Sequence, residues 1–107
     1  PFKDNPMRDK IGAAFTTAGG FSAGEEHVMQ SIHNAMLIHG MIVVGGADWR
    51  AAFGASGIVS EKPYLTENEK GKVDAYFLEK ARSLGRRVAT LALQMNEGKK
   101  HPTPPVD

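Results

Sequence analysis

The most constraining feature of this 107-residue sequence is a glycine-rich segment between two apolar stretches. Residues 17–24, Thr-Ala-Gly-Gly-Phe-Ser-Ala-Gly, hold three glycines in eight positions. Such a segment suits backbone that adopts unusual dihedral angles or passes close to a ligand. The preceding residues 11–16, Ile-Gly-Ala-Ala-Phe-Thr, form a short apolar run that ends in a hydroxyl residue, the pattern of a buried strand. We therefore expect a strand that leads directly into a glycine-rich loop.

An amphipathic helix and a second strand are expected after this loop. In residues 25–39, one set of side chains recurs at steps of three and four residues, as on one face of a helix. That set is Val28, Met29, Ile32, Ala35, Met36 and His39, and the opposite side carries Glu26, Gln30, His33 and Asn34. Gly40 suits the helix C-cap, and residues 41–44 form an apolar strand of the kind that is covered on both faces. Strand, helix and strand together predict a βαβ unit.

The second strand is expected to be interrupted, and a long helix is expected after it. Residues 45–53 form an irregular stretch, and residues 54–59 have the pattern of a resumed strand. Thr66 and Glu69 match the Thr-x-x-Glu capping box of a helix start. The apolar stripe that predicts a helix over residues 73–95 consists of Val73, Phe77, Ala81, Leu84, Val88, Leu91 and Met95. Residues 97–107 contain three prolines and are expected to form a mobile tail.

Composition narrows the classes of function. The chain has room for one small domain, and its 13 basic and 12 acidic side chains leave a formal charge of +1, so we expect no nucleic-acid partner. The absence of cysteine excludes a disulfide, a thiolate nucleophile and a Cys-based zinc or iron-sulfur site within these residues. Residues 41–44, the longest strongly apolar stretch, are far short of the roughly 20 residues of a membrane helix. We expect a cytoplasmic protein with no membrane partner.

Few side chains outside the loop suggest chemistry, and the catalytic residues are unknown at this stage. The four histidines include no i, i+4 pair, so no metal site is expected, and His33 is expected to be a solvated helix residue. Glu25 and Glu26 are expected to offset the helix dipole rather than to form a catalytic pair. Trp49, in the interrupting stretch, has three open interpretations. It borders a cofactor pocket, stacks on a partner subunit, or caps the core.

The position of the glycine-rich loop points to a ligand. In an open parallel α/β sheet, ligands bind outside the carboxyl ends of the strands, which is where this loop is expected to lie. Its backbone N–H groups, with the positive end of the helix dipole behind them, suit an electron-rich carbonyl or an anion. A glycine-rich turn also serves close packing alone. The residues alone therefore leave both interpretations of the loop open, ligand binding and close packing.

Four motifs occur in a characteristic order. They are Ala14-Phe-Thr-Thr-Ala-Gly-Gly-Phe-Ser-Ala-Gly-Glu-Glu26, His39-Gly-Met-Ile-Val-Val44, Phe53-Gly-Ala-Ser56 and Ala81-Arg-Ser-Leu-Gly-Arg-Arg-Val-Ala89. This set, over residues 10–96, resembles the flavodoxin-like FMN-dependent NAD(P)H:quinone oxidoreductases of the tryptophan-repressor-binding-protein type. The resemblance implies an α/β fold with a flavodoxin-like doubly wound parallel sheet. Residues 1–96 would be its C-terminal half, with the fourth and fifth strands and their helices, and residues 97–107 the tail.

The resemblance also implies a cofactor and partners. It implies FMN as cofactor, NAD(P)H as co-substrate and a quinone or similar small acceptor. The residues that it places beside the isoalloxazine are Thr16, Thr17, Ala18, Gly19, Gly20 and Phe21. Backbone N–H groups of residues 17–21 would then hydrogen-bond the pyrimidine edge of the flavin and favour its reduced, anionic form. The implied partners are a missing N-terminal half, which would carry the phosphate-binding loop, and further copies in a homo-oligomer. The chain alone is expected to be inactive.

The sequence departs from that family in three places. Ile38 stands where close relatives carry a histidine, Phe21 belongs to a loop that is one residue longer, and the interruption over residues 45–53 is shorter than usual.

Two alternative functions stay open. The first alternative is an electron-transfer flavodoxin-like protein without small-molecule reductase activity. The second is a non-catalytic α/β fragment or assembly module without a cofactor.

Overall fold

The computed structural model describes residues 4–59 and 73–100. Within them, short strands alternate with two helices, which is the α/β class that the sequence predicts. The elements are β1 Ile11–Gly12, β2 Phe15–Ala18, α1 Glu25–Ile38, β3 Ile42–Val43, a 3-10 turn at Trp49–Ala51, β4 Ala55–Ile58 and α2 Ala75–Lys100.

All the strand pairs in the described residues are parallel. Ile11 of β1 lies opposite Ile42 of β3, and Phe15 of β2 lies opposite Ala55 of β4. The sequence distance between partners is 31 residues in the first pair and 40 in the second, so nine residues are inserted between β3 and β4. These are residues 45–53, called the insertion below. The predicted interruption of the second strand is present, because β3 and β4 continue one line of pairing on either side of the insertion.

The first strand is broken and ends later than the predicted range of 11–16. Val44 N–H donates to the Gly12 carbonyl at 2.9 Å, and Ala55 N–H donates to the Ala14 carbonyl at 3.2 Å. The break between β1 and β2 thus falls where the pairing partner changes from one side of the insertion to the other. β2 then extends to Ala18, because β4 offers partners up to Ile58.

Helix α1 ends where the sequence indicates. Gly40 has φ +73°, a left-handed conformation that favours glycine. Its N–H donates to the Leu37 carbonyl at 3.0 Å, and Met41 N–H donates to the Met36 carbonyl at 3.2 Å. This pair of hydrogen bonds is the Schellman arrangement, which stops the helix and turns the chain into β3.

The contact face of α1 is centred on Met29, which is 3% exposed. Ile32 and Met36 are half-buried, whereas Val28 of the predicted apolar face is exposed. His33 is half-buried, and its Nε2 atom is buried without a hydrogen-bond partner among the described residues. The prediction of a solvated His33 is therefore wrong. The reason is geometric, because His33 follows Met29 by four residues and shares its side of the helix.

Helix α2 begins two residues later and ends five residues later than the predicted range of 73–95. The Asp74 carboxylate accepts the Tyr76 N–H at 2.8 Å and caps the first turn. The stripe is correctly predicted, since all its members are buried or half-buried, with Leu84 only 4% exposed. The first four residues of the predicted tail, 97–100, are helical, because neither proline nor a capping glycine stops the helix before Lys100. Residues 101–107 and the predicted Thr66–Glu69 capping box lie outside the described residues.

Helix α2 contacts β4 and β1, whereas α1 contacts β2 and β3. Ala55 and Gly57 line a groove with α2, whereas Ser56 and Ile58 line a cleft with Met29 of α1. The core of the described residues is small and consists of Ala14, Met29, Ala55, Ile58, Phe77 and Leu84. None of the helices in residues 4–59 and 73–100 combines the length and the apolar character needed to span a membrane.

Candidate functional site

The six predicted site residues form one continuous segment at the carboxyl end of β2. Thr16, Thr17 and Ala18 are the last residues of the strand, and Gly19, Gly20 and Phe21 leave it. Because β2 and β4 are parallel, their carboxyl ends meet at the same edge of the sheet. Ligands of open α/β sheets bind at this edge.

Pairing with β4 determines which main-chain groups of the segment are available. The Ala14 carbonyl accepts from Ala55 N–H, and the Ala18 carbonyl accepts from Val59 N–H at 3.0 Å. Main-chain groups alternate in direction along a strand, so those of Ala18 point toward β4 and those of Thr17 point away. The expectation that every N–H group of residues 17–21 faces a ligand therefore does not hold at Ala18.

Gly19, the first residue after the strand, provides an open surface. A Cβ atom built on Gly19 would have no neighbour within 4 Å, and the N–H groups of Gly19 and Gly20 donate to no described atom. Positive φ occurs later in the loop, at Ser22 (57°) and Gly24 (101°). Gly19 thus leaves space above the backbone, and both glycines leave an N–H group without an acceptor among the described residues, which fits the carbonyl-rich edge of a flat ring such as a flavin.

Phe21 closes the segment. Its side chain is 48% exposed, and its ring meets the ring of Phe77 edge-on, with centroids 6.3 Å apart. Phe77 belongs to α2 and is 5% exposed. The loop is therefore fixed on one side by an aromatic contact with α2.

The first residue of α1 binds the end of the glycine-rich loop. The Glu25 carboxylate accepts the N–H groups of Ser22 at 3.0 Å and Ala23 at 2.9 Å. The Glu25 N–H group, together with those two, holds the pKa of this carboxyl below its ordinary value of 4.5, although burial opposes the shift. The Glu25 carboxylate thus occupies the N–H groups of Ser22 and Ala23, so these two donors are not available to an external anion. Its spacing from Ser22, Ser-x-x-Glu, was the signal for this contact.

We expect Glu25→Gln to lower the free energy of unfolding at neutral pH and to matter less in acid. A lowered pKa in the folded protein means that the carboxylate stabilises the fold fully above pH 4.5, and that this stabilisation is lost as the pH falls through the lowered pKa. Urea unfolding of both proteins over a pH series would show the difference shrinking toward acid. Glu26→Gln is the control. A difference that does not change with pH would contradict the role given to the carboxylate.

The insertion forms the other wall of a cleft beside the loop. This cleft has a volume of about 210 Å³ and contains Phe21, Trp49, Phe53 and Lys80 in its lining. Trp49 is 82% exposed, so the reading in which it caps the core is wrong, and it borders the cleft instead. The Ser56 Oγ atom, at the base of the cleft, is buried without a hydrogen-bond partner in the described part of the chain. Lys80 belongs to none of the sequence motifs, and Ser56 ends the Phe53–Ser56 motif without a role having been assigned to it.

Residues 4–59 and 73–100 contain no group of three or more His, Asp or Glu side chains arranged to hold a metal ion. Iron-sulfur clusters are held chiefly by cysteine thiolates, and the 107 residues include no cysteine. Any cluster in a protein that contains this chain would take its cysteine ligands from other residues.

The chain is similar to curated proteins of two kinds. It is 41% identical over 83 residues, 78% of its length, to an iron-sulfur flavoprotein of Methanocaldococcus jannaschii. It is 32% identical over 109 aligned residues, 94% of its length, to NAD(P)H dehydrogenase (quinone) 3 of Rhizobium meliloti, and 33% identical over 99 residues, 85% of its length, to NAD(P)H dehydrogenase (quinone) of Paracoccus denitrificans. No family model matches the chain.

The matched region is only a part of each of these relatives. The chain spans 40% of the iron-sulfur flavoprotein, 51% of the Rhizobium enzyme and 48% of the Paracoccus enzyme. The parallel α/β arrangement is compatible with a fragment of a flavodoxin-like sheet. Together with this arrangement, the named relatives support a flavodoxin-like flavoprotein family for this chain.

Proposed function

We propose that this chain is the flavin-facing part of an FMN-dependent NAD(P)H:quinone oxidoreductase of the tryptophan-repressor-binding-protein type. The observation that carries the proposal is the open loop at the carboxyl ends of β2 and β4, which lies within a region similar to two NAD(P)H dehydrogenases (quinone). FMN would accept hydride from NAD(P)H and pass electrons to a quinone.

The proposal assigns the chain to the C-terminal half of a doubly wound sheet. β1 and β2 would be its fourth strand, and β3 and β4 its fifth, interrupted by the insertion. The remaining half would pair with the free edge of β2 and would bring the phosphate-binding loop. This division is compatible with Glu25, whose carboxylate lies beside the amino end of α1, accepts two N–H groups of the loop and would repel a phosphate there. Alone, the chain would be inactive.

Three features of the loop suit a role beside the isoalloxazine. The N–H groups of Thr17, Gly19 and Gly20 would donate to the carbonyl-rich pyrimidine edge, and they would favour negative charge there. The open surface at Gly19 would let the backbone approach the ring. Phe21 would exclude water from that side. No side chain of the described residues is assigned to acid or base catalysis.

The test uses the full-length protein that contains this chain. Purified protein should show the visible absorbance of bound flavin, and extracted cofactor should be FMN. It should oxidise NADH or NADPH rapidly only when a quinone is present. Protein that stays colourless and binds no added FMN would contradict the proposal.

A second candidate function is an electron-transfer flavoprotein without small-molecule reductase activity. The similarity to an iron-sulfur flavoprotein, at 41% identity, favours it. Such a protein would bind FMN equally well but would oxidise NAD(P)H slowly with any quinone. Steady-state rates with several quinones, set beside the flavin content of the same sample, separate the two functions.

We expect simultaneous replacement of Gly19 and Gly20 by valine to weaken FMN binding about tenfold or more, equivalent to roughly 1.4 kcal/mol. The added side chains would occupy the space through which backbone and ring approach each other, and Gly19 has room for them in the ligand-free chain. FMN titration followed by flavin fluorescence measures the effect. Gly85→Val, at an exposed position of α2 with equal space, is the matched control. Unchanged affinity in the double variant would remove the site assignment.

A further inference from the structure

The insertion is held together by its own hydrogen bonds and has few hydrogen bonds to the other residues that the structure describes. The Asp48 carboxylate accepts the Arg50 N–H at 2.8 Å, and the Ala51 carbonyl accepts the N–H groups of Gly46 at 2.8 Å and Gly54 at 3.0 Å. Its largest apolar side chain, Trp49, is 82% exposed and does not anchor it. The position of the insertion therefore depends on contacts that come from outside it.

Two side chains of α2 supply such contacts. Lys80 Nζ donates to the Arg50 carbonyl at 3.2 Å, and Arg87 Nε donates to the Gly45 carbonyl at 3.1 Å. They hold the insertion at two points, its 3-10 turn and its first residue, and they lie about two helical turns apart on α2. Both are cations that bind a main-chain carbonyl, so each hydrogen bond is charge-assisted.

Lys80 differs from Arg87 because it also contacts the aromatic group that fixes the glycine-rich loop. Its Nζ lies 4.6 Å from the centroid of the Tyr76 ring and 5.7 Å from that of Phe77. Phe77 in turn packs edge-on against Phe21. A continuous path thus leads from the Arg50 carbonyl through Lys80 and Phe77 to the loop.

We propose that Lys80 is a positioning residue that couples the insertion to the glycine-rich loop, so that the order of the loop, and its hold on a ligand, depend on the tether to Arg50. The coupling itself rests only on the contacts given above. The part that concerns FMN affinity rests on the proposed function. Arg87, which holds the first residue of the insertion, has no such path in the described residues and serves as the internal comparison.

The experiment measures hydrogen exchange by mass spectrometry in the full-length protein without added ligand. Lys80→Met should raise the exchange rates about fivefold both in residues 46–54 and in residues 19–23, as expected for loss of one hydrogen bond that orders both segments. Arg87→Met should raise exchange only in the first segment. Lys99→Met, the same substitution in the last turn of α2, should change neither. Lys80→Arg should restore the wild-type pattern, because arginine keeps a cationic donor.

FMN titration is the second measurement. Lys80→Met should weaken binding several-fold, whereas Arg87→Met and Lys99→Met should not. Exchange that rises at the insertion but not at the loop in Lys80→Met would overturn the proposal and leave Lys80 as a simple tether. Should Lys80→Met not fold, Lys80→Gln keeps a neutral donor and must show the same two-segment pattern in weaker form. A wild-type protein that binds no FMN would refute the proposed function, while the exchange data would still decide the coupling.

Discussion

Replacing Leu84 by alanine is expected to lower the free energy of unfolding by about 2–5 kcal/mol, the range of large-to-small changes in a core. Leu84 is 4% exposed and lies in the middle of the stripe by which α2 covers the sheet. Removal of its side chain leaves a cavity that the helix cannot close without losing the flanking contacts of Ala81 and Val88. Chemical unfolding of the full-length protein measures the change.

Arg82→Ala is the matched control on the same helix. The Arg82 side chain is 62% exposed and lies 3.7 Å from the Glu79 carboxylate, an exposed ion pair of the kind that contributes about 1 kcal/mol at most. Glu79 also keeps its closer partner, Arg86, at 2.8 Å. Equal losses in the two variants would mean that the assigned contact face of α2 is wrong.

The elements were predictable because local pattern and tertiary packing agree over most of the chain. The stripe from Val73 to Met95 has the period of a helix, and all of it is covered by the sheet or partly so. Gly40 follows the last turn of α1 and adopts the φ that only glycine takes readily. Both signals are carried by a few neighbouring residues, so the sequence alone contains them.

The predictions failed where strand pairing or side-chain burial depends on residues that are distant in sequence. The break after Gly12 is caused by the insertion, which moves the pairing partner by nine residues. His33 has the sequence pattern of a polar surface residue. It is half-buried because α1 packs through the face that is centred on Met29, and His33 lies on that side of the helix. For Trp49, three interpretations were open, and the one in which it caps the core is wrong because the insertion holds its side chain 82% exposed.

The position of the glycine-rich loop was predictable, because a loop that follows a parallel strand lies at the carboxyl edge of the sheet, where the structure has it. The assignment of residues 16–21 to a flavin came from the resemblance and stays a prediction. Pairing with β4 then withdraws the main chain of Ala18 from any ligand, which requires knowledge of the register. Lys80 has no distinguishing pattern, because an ordinary lysine on a helix becomes a tether only when the insertion folds next to it.

We expect that residues 1–107, expressed without the rest of the protein, do not form a stable monomer that is saturated with FMN. In the described residues β2 pairs on one side only, so the main-chain groups of Phe15 and Thr17 point to an open edge. Phe15 is 73% exposed and borders an apolar groove that also contains Leu78 and Ala81. A core this small does not offset the ordering of about a hundred residues, at roughly 1–2 kcal/mol of backbone entropy each.

The prediction is tested by expressing residues 1–107 alone and measuring sedimentation, thermal unfolding and FMN titration on the same sample. Aggregates or strand-paired oligomers without a cooperative transition are expected. Phe15→Lys should reduce the association, because a charge at an open edge opposes strand pairing, whereas Leu93→Lys, at a 69% exposed position of α2, should reduce it less. Equal effects would indicate general apolar aggregation instead of edge pairing. A cooperatively unfolding monomer with submicromolar FMN affinity would contradict both the half-domain assignment and the placement of the phosphate-binding loop outside these residues.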